Sequence, residues 1–167
     1  AHEVKQFLEN EELSDLCDIT LLDFNSETIE YTRKELTRVR AQAGRVAPIS
    51  LLQRSVHKLL RQASTGDVDL KWESFDMVYC SGLFDYLSQR VCRRLNDLFA
   101  RLLAPGGLML VTNVSDTNPS RAWMEYVLEW NLIYRDDDAM MEIAPLNSGQ
   151  FETTLDRDET GVNLFLE

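Results

Sequence analysis

Two carboxylates and a cysteine stand at points where an apolar run gives way to a polar loop. Asp23 closes the run Ile19 to Leu22, Cys80 closes a run that begins at Phe75, and Asp85 comes five residues later. A carboxylate at the end of a buried strand can accept both hydroxyl groups of a ribose, or it can cap a following helix. A cysteine is a nucleophile only where a basic group or a helix end favours its thiolate. Which chemistry applies depends on the elements that place these side chains.

The stretch from Phe75 to Val114 predicts a strand, a loop, a helix and a second strand. Its first run, Phe75 to Cys80, is short and apolar, as in a strand buried on both faces of a parallel sheet. The helix is indicated by apolar residues at helical spacing: Val91, Leu95, Leu98, Phe99 and Leu102. Pro105 to Gly107 should stop the helix and turn the chain into a strand over Leu108 to Val114. A right-handed crossover then places the functional loop at Cys80 to Tyr86.

This segment resembles part of a known enzyme family. FDMVYCSGLFDYL and LLAPGGLMLVTNV, with a helix between them, are similar to the fourth and fifth strands of class I S-adenosylmethionine-dependent methyltransferases, whose helix-to-strand turn is commonly PGG. The resemblance covers nearly the whole chain through the order of its elements. It implies a three-layer α/β/α, Rossmann-like sheet with S-adenosylmethionine as the cofactor.

The composition is typical of a soluble globular domain. The chain has 167 residues, of which 44% are apolar and 27% charged, so a single domain over residues 1–167 is expected. No apolar run is long enough to span a bilayer. Cys17, Cys80 and Cys92 include no CxxC pair, which favours reduced thiols in the cytoplasm. A net charge of -11 argues against a nucleic-acid partner and favours a small-molecule substrate, while the oligomeric state is not predicted.

The chain opens with a predicted helix, Ala1 to Leu13, which places Val4, Phe7 and Leu8 on one face. In the family that the sequence resembles, a first strand and a glycine-rich loop come immediately before this helix. That loop holds the methionine end of the cofactor. We therefore expect the chain to be an N-terminally incomplete methyltransferase domain.

The second strand of the family corresponds to the run that ends at Asp23. The resemblance assigns Asp23 to the ribose hydroxyls and Phe24 to the adenine ring. Asp23 could instead cap the helix predicted over Ser26 to Ala43, although Asn25 or Ser26 can do so without it. A dinucleotide-binding domain would use the same acid, so Asp23 alone does not choose the cofactor.

A further strand is predicted over Val46 to Leu52, followed by a polar turn. The resemblance implies that a side chain in this turn receives the adenine amino group and that the next backbone N–H meets a ring nitrogen. By position these are Ser55 and Val56. Ser55 could equally cap the short helix that follows.

The loop after the central strand would lie against the methionine part of the cofactor, by the same resemblance. Cys80, Ser81 and Gly82 fit this role because small residues allow a close approach. No base that would partner Cys80 is identified, so a small buried residue is favoured over a nucleophile. Asp85 either caps the next helix, the favoured interpretation, or accepts a proton from a substrate.

Oxygen ligands suited to magnesium also occur near this edge of the sheet: Asn113, Asp116 and Asn118, together with Asp85. However, the residues at the tip of the first central strand are Cys80 and Ser81, not a carboxylate. We therefore predict no metal.

The C-terminal third begins with a helix predicted over Pro119 to Asn131. Its aromatic and apolar stripe is more often core than pocket wall, although it can be both: Trp123, Tyr126, Val127 and Trp130. Arg135 could bind a substrate carboxylate, but a salt bridge to the aspartates at 136–138 is favoured.

The last residues, Phe151 to Glu167, predict a hairpin that turns at Arg157 to Gly161. A terminal antiparallel hairpin is similar to that of class I methyltransferases, whereas a nicotinamide-binding sheet would continue with a parallel strand. We therefore expect methyl transfer from S-adenosylmethionine to a small-molecule acceptor, through a carboxyl or hydroxyl group.

The chain also resembles bacterial methyltransferases that make hydroxy fatty acid methyl esters, which implies a carboxyl acceptor. Such an acceptor needs no base, and no side chain is assigned as one. The alternatives are a non-catalytic, methyltransferase-like interaction module and a nicotinamide-dependent oxidoreductase.

Overall fold

The computed structural model describes residues 1–66, 70–146 and 151–167. The chain forms two compact units, Ala1–Thr65 and Gly66–Glu167, referred to below as the N-terminal unit and the C-terminal unit. Each combines parallel strands with helices and has buried residues of its own.

The N-terminal unit contains one pair of parallel strands. Its elements are α1 (His2–Asn10), a 3₁₀ helix (Glu12–Leu16), β1 (Ile19–Asp23), α2 (Ser26–Ala43), β2 (Ile49–Gln53) and α3 (Val56–Thr65). In the β1–β2 pair, Ile19 lies opposite Ile49 and Asp23 lies opposite Gln53. Because the two strands run in the same direction and end in register, the residues that follow them lie at one edge.

The core of this unit follows from the helical periodicity. Leu8 of α1 packs with Leu36 and Val39 of α2 and with Ala47, and all four are buried. The predicted helix over Ser26 to Ala43 is confirmed at both ends, and Gly44 follows it in the left-handed conformation, with φ of 68°.

The C-terminal unit contains a four-stranded mixed sheet. Its elements are β3 (Phe75–Cys80), a 3₁₀ helix (Phe84–Tyr86), α4 (Gln89–Leu102), β4 (Leu103–Val114), α5 (Arg121–Tyr126), α6 (Asp137–Met141), β5 (Leu155–Arg157) and β6 (Asn163–Leu166). The strand order is β3-β4-β6-β5, with β3 parallel to β4 and β6 antiparallel to both β4 and β5. The predicted α/β class, with parallel strands and a terminal antiparallel hairpin, is confirmed.

The helix α4 supplies much of the core of this unit. Its buried face is formed by Cys92, Leu95, Asn96, Leu98, Phe99 and Leu102. The strands contribute further fully buried side chains: Val111, Leu164 and Leu166. The helical spacing read from the sequence therefore identified the correct face of α4.

The turn predicted at Pro105 to Gly107 is instead part of a strand. β4 begins at Leu103, directly after α4, and its register with β3 shifts between Leu103 and Leu108. At Gly107 a Cβ would lie 3.0 Å from the carbonyl oxygens of Ala104 and Phe75. Glycine is favoured there because the two strands approach closely at this irregularity and a side chain would crowd backbone oxygens.

Two predicted patterns of burial are wrong. Met77 and Tyr79 on β3 are 52% and 42% exposed, so this strand is not buried on both faces. β3 is the edge strand of its described sheet, and alternate side chains project to a face that remains open. The helix predicted over Pro119 to Asn131 extends only over α5, and its aromatic stripe is exposed rather than core.

In the part of the chain that the structure describes, no helix has the length and apolar character that crossing a membrane requires.

The cap of α2 can be tested in isolation from its neighbours. Asn25 Oδ1 accepts hydrogen bonds from Glu27 N at 2.7 Å and Thr28 N at 3.2 Å, whereas Ser26 makes no such bond. Asn25→Ala should lower the free energy of unfolding by about 1 kcal/mol, because two N–H groups of the first turn lose their acceptor. Urea denaturation measures this. Ser26→Ala is the control, and an equal loss in both variants would contradict the assigned cap.

Candidate functional site

The first group of candidate residues lies at the edge where β1 and β2 end. Asp23 Oδ1 accepts a hydrogen bond from Asn25 N at 2.8 Å, which forms a local turn. The cap of α2 is Asn25, so the interpretation of Asp23 as the helix cap is wrong. Asp23 makes no other side-chain hydrogen bond to the described residues, and its second carboxylate oxygen remains available to a ligand.

Phe24 follows Asp23 with its side chain 69% exposed. The Gln53 side chain donates to Phe24 O at 3.3 Å, and Arg54 N donates to Asp23 O at 2.8 Å. These bonds fix the turn after β1 against the end of β2. An acid and an open aromatic ring are thereby presented together.

Ser55 and Val56 stand at the start of α3. Ser55 Oγ accepts a hydrogen bond from Lys58 N at 3.3 Å, and Ser55 O accepts one from Leu59 N, so Ser55 does cap this helix. The Ser55 hydroxyl hydrogen can still be donated to another acceptor. Val56 N–H lies in the first turn of α3, where no preceding turn provides a carbonyl partner.

The second group lies in the C-terminal unit, after β3. Gly82 N donates to Thr112 Oγ1 at 3.3 Å, and Thr112 Oγ1 donates to Ser81 Oγ at 3.4 Å. Gly82 has a φ of 71°, a conformation that side chains disfavour. The structure thus joins the predicted loop to β4 through Thr112, a residue that the sequence did not identify.

Cys80 is not poised as a nucleophile. The pKa of its thiol is raised to about 12, mainly by burial and to a smaller extent by the nearby Cys92 and Asp85. A thiol of this kind is protonated at neutral pH. Cys80 is half-buried, and its role as a small residue against the cofactor stays a prediction.

Asp85 occupies an unexpected position. The N-cap residue of α4 is Ser88, so the favoured interpretation of Asp85 as a helix cap is wrong. Asp85 is only 6% exposed, and its Oδ1 accepts a hydrogen bond from Val114 N, at the end of β4, at 2.7 Å. Burial raises the pKa of the Asp85 carboxyl, while the Val114 N–H and the charge of Arg135 act in the opposite direction.

Arg135 is a buried cation of this unit, with 2% of its surface exposed. Its five N–H donors are directed to Gln89 Oε1, Phe84 O, Asn113 Oδ1, Leu87 O and Cys92 Sγ. None of these acceptors is an aspartate, so the predicted salt bridge to residues 136–138 is wrong. Those acids lie at the start of α6, where Asp136 accepts a hydrogen bond from Ala139 N at 2.8 Å.

No local pattern in the sequence reveals the Arg135 cluster. Its partners on the loop, on α4 and on β4 are 22 to 51 residues away along the chain. In the sequence Arg135 stands between Tyr134 and a run of three aspartates, and this context does not distinguish a structural arginine from one that binds substrate.

Two other features bear on the site. A cleft of about 780 Å³ opens at the opposite end of β4, where Arg101, Pro105, Gly106 and Leu146 line it, and none of the candidate residues do.

Among residues 1–66, 70–146 and 151–167, no group of three histidines, cysteines or acids could hold a metal ion.

The sequence matches a known protein family. Residues 5–111 of the 167 match the family described as a methyltransferase domain, which is more than half of the chain. Among the curated proteins, no sequence matches significantly.

Solved structures share the fold at low sequence identity. A protein of Bordetella parapertussis, described as a possible exported protein, has a TM-score of 0.66 and 16% identity over 89% of this chain and 52% of its own. A SAM-dependent methyltransferase from Methanosarcina mazei has a TM-score of 0.55 and 13% identity over 93% of this chain and 82% of its own. An arsenic(III) S-adenosylmethionine methyltransferase from Chlamydomonas reinhardtii has a TM-score of 0.57 and 20% identity over 89% of this chain and 52% of its own. The chain spans about half the length of the first and third of these proteins.

Parallel strands, a terminal antiparallel hairpin and polar residues at the strand ends define an α/β domain of the Rossmann-like class. With the sequence match, they identify the family: the chain belongs to the methyltransferase-domain family, among the class I S-adenosylmethionine-dependent methyltransferases. The predicted family, its fold and its cofactor are therefore confirmed.

Replacing Arg135 by lysine tests the buried cluster. Arg135→Lys keeps the charge but removes the planar set of five donors, so we expect a loss of about 2–4 kcal/mol in the free energy of unfolding. Arg94→Lys is the matched control, because Arg94 is exposed on α4. Its effect should stay within about 0.5 kcal/mol. Similar effects in the two variants, measured by urea denaturation, would contradict the structural role of Arg135.

Asp85 should make stability depend on pH. The pKa of the Asp85 carboxyl is raised in the folded protein above its ordinary value of 3.8. Asp85 therefore ionises more readily in the unfolded chain, and the folded state loses stability as the pH rises from the ordinary pKa to the raised one. Asp85→Asn keeps an acceptor for Val114 N, and we expect a higher urea midpoint than wild type at pH 7. The difference should vanish at pH 3, where the wild-type Asp85 carboxyl is largely protonated in both the folded and the unfolded state. Asp156→Asn, at an exposed position without side-chain bonds to the described residues, should show no such change with pH.

Proposed function

We propose that this chain transfers a methyl group from S-adenosylmethionine to a small-molecule acceptor that carries a carboxyl or hydroxyl group. The observation that supports it most directly is the position of Asp23, with an oxygen free of hydrogen bonds to the described residues at the carboxyl end of a parallel strand pair. Membership of the methyltransferase-domain family supports the same activity.

The residues at the end of β1 and β2 fit the nucleoside part of the cofactor. The free oxygen of Asp23 can accept from the ribose hydroxyls, and the exposed ring of Phe24 offers a flat apolar surface for adenine. Ser55 and Val56 N–H can meet the adenine amino group and a ring nitrogen. An acceptor, a stacking surface and an N–H donor are the groups that an adenosine requires.

In the C-terminal unit, Cys80, Ser81 and Gly82 are proposed to contact the methionine part. The Ser81–Thr112–Gly82 hydrogen bonds hold this loop in place. Gly82 allows the backbone to approach a ligand without a side chain in the way.

S-adenosylmethionine supplies an activated methyl group when it is bound. The residues of the chain therefore have to bind both reactants, align them and exclude water. A carboxylate acceptor would need no base, whereas a hydroxyl acceptor must lose a proton. The likeness to hydroxy fatty acid methyl ester enzymes, which would imply the former, stays a prediction.

A non-catalytic module of the same fold is the second candidate, because a fold by itself does not establish a catalytic activity. A nicotinamide-dependent oxidoreductase is disfavoured, because β6 is antiparallel to β4. A single domain, a cytoplasmic location and the absence of a nucleic-acid partner stay predictions.

Binding of S-adenosylhomocysteine tests the proposal. Isothermal titration calorimetry on this chain, and on any upstream extension that its gene encodes, should show saturable binding. Asp23→Ala should weaken it on the order of 10- to 100-fold, because charge-assisted hydrogen bonds to the ribose are lost. Asp18→Ala, at an exposed acid before β1, is the control and should bind like wild type. Absence of binding in both forms would favour the non-catalytic module.

A further inference from the structure

Asp85 is the only buried carboxylate among the residues that the structure describes. One oxygen, Oδ1, is held by Val114 N, and Oδ2 makes no hydrogen bond to those residues. Oδ2 is also not fully enclosed, unlike the unsatisfied atoms Ser14 Oγ, Asn96 Oδ1 and Tyr134 Oη. A buried carboxylate with a free, reachable oxygen is costly unless a ligand uses it.

The neighbouring cation, Arg135, makes no hydrogen bond or ion pair with Asp85 Oδ2. All five donors of Arg135 are used by other acceptors, and none is directed to Asp85. Arg135 acts on the carboxylate only through its field, and the other titratable groups near Asp85 are Cys80, Cys92 and Tyr134. The carboxylate is thereby left as an acceptor for an incoming proton.

Large, partly exposed side chains lie on residues that adjoin Asp85 along the chain or through its backbone. Ile133 N donates to Asp85 O at 2.7 Å, which fixes the segment after α5 against the loop. Trp130 Nε1 donates to Tyr86 Oη at 2.7 Å and sets the two rings together. Tyr86, Trp130 and Ile133 are 53%, 47% and 43% exposed, and we refer to them as the apolar wall. Such a wall suits a flat, apolar body.

We propose that Asp85 is the catalytic base of the methyl transfer and that the acceptor is a hydroxyl compound with a flat, aromatic body, bound against the apolar wall. This inference rests on the proposed function and narrows its substrate class. A carboxylate acceptor would bring a second negative charge beside Asp85, where Arg135 has no donor left to offer. A neutral hydroxyl instead satisfies Oδ2 with a hydrogen bond.

The step balances without a further reactant. As the acceptor oxygen forms its new bond to the methyl carbon, its proton passes to Asp85 Oδ2. The electron pair of the broken sulfur–carbon bond stays on the sulfur, which becomes the thioether of S-adenosylhomocysteine. Burial raises the pKa of Asp85 and makes its carboxylate a stronger base than an exposed one.

The test compares two probes of one shape, 2-naphthol and 2-naphthoate, on the protein saturated with S-adenosylhomocysteine. Fluorescence titration at pH 7 should show that 2-naphthol binds at least about 10-fold more tightly, because like charges repel. Asp85→Asn keeps the acceptor for Val114 N and should reduce this preference by strengthening naphthoate binding. Asp156→Asn should leave the preference unchanged.

Turnover provides the second measurement. With S-adenosylmethionine, wild type should form 2-methoxynaphthalene, and Asp85→Asn should form it on the order of 10²- to 10⁴-fold more slowly with unchanged binding of S-adenosylhomocysteine.

Equal or preferred binding of naphthoate, binding of neither probe, or full turnover by Asp85→Asn would each overturn the role of Asp85. In those cases, intact S-adenosylhomocysteine binding would leave the proposed function standing. Loss of that binding in wild type would instead refute the proposed function.

Discussion

The C-terminal unit depends on the buried guanidinium of Arg135. An arginine cannot lose its charge inside a protein, so every N–H must find an acceptor once it leaves water. Here the acceptors come from the loop after β3, from α4 and from β4, and satisfying them fixes all three relative to the segment that carries Arg135. The loop that carries Asp85 is therefore set by a structural cation rather than by its own short 3₁₀ helix.

The two buried charges, Arg135 and Asp85, have different hydrogen-bonding states in this arrangement. Arg135 is fully used in holding the fold and has no donor for a substrate. Asp85 is only half used, since Val114 N occupies one oxygen. In this site all donors of the cation are bonded to protein acceptors, whereas the anion has an oxygen without such a bond. The site should therefore bind neutral acceptors in preference to anionic ones. The chemistry of the site thus follows from how hydrogen bonds are distributed among buried groups.

Aromatic residues have an unusual distribution in this unit. Trp123 and Tyr126 are 60% and 83% exposed, although helical spacing predicted a core stripe. Helical spacing reports only that residues share a face, and whether that face is covered depends on what packs against it. The helix itself ends at Tyr126, after six residues, so the later members of the stripe leave its face altogether. Burial was therefore the least predictable property of this segment.

The sequence by itself determined the strands, the long helices, the terminal hairpin and the family, because these depend on local periodicity, on glycine positions and on element order. It also placed Asp23 and Gly82 correctly at strand ends. Only the tertiary structure decided the roles of Asp85 and Arg135, since their partners lie up to 51 residues away and no local pattern encodes them. The same holds for the glycine at position 107, which is favoured because a second strand approaches there. Charges and hydrogen bonds between distant segments are satisfied only when the chain has folded, and the function of this site depends on them.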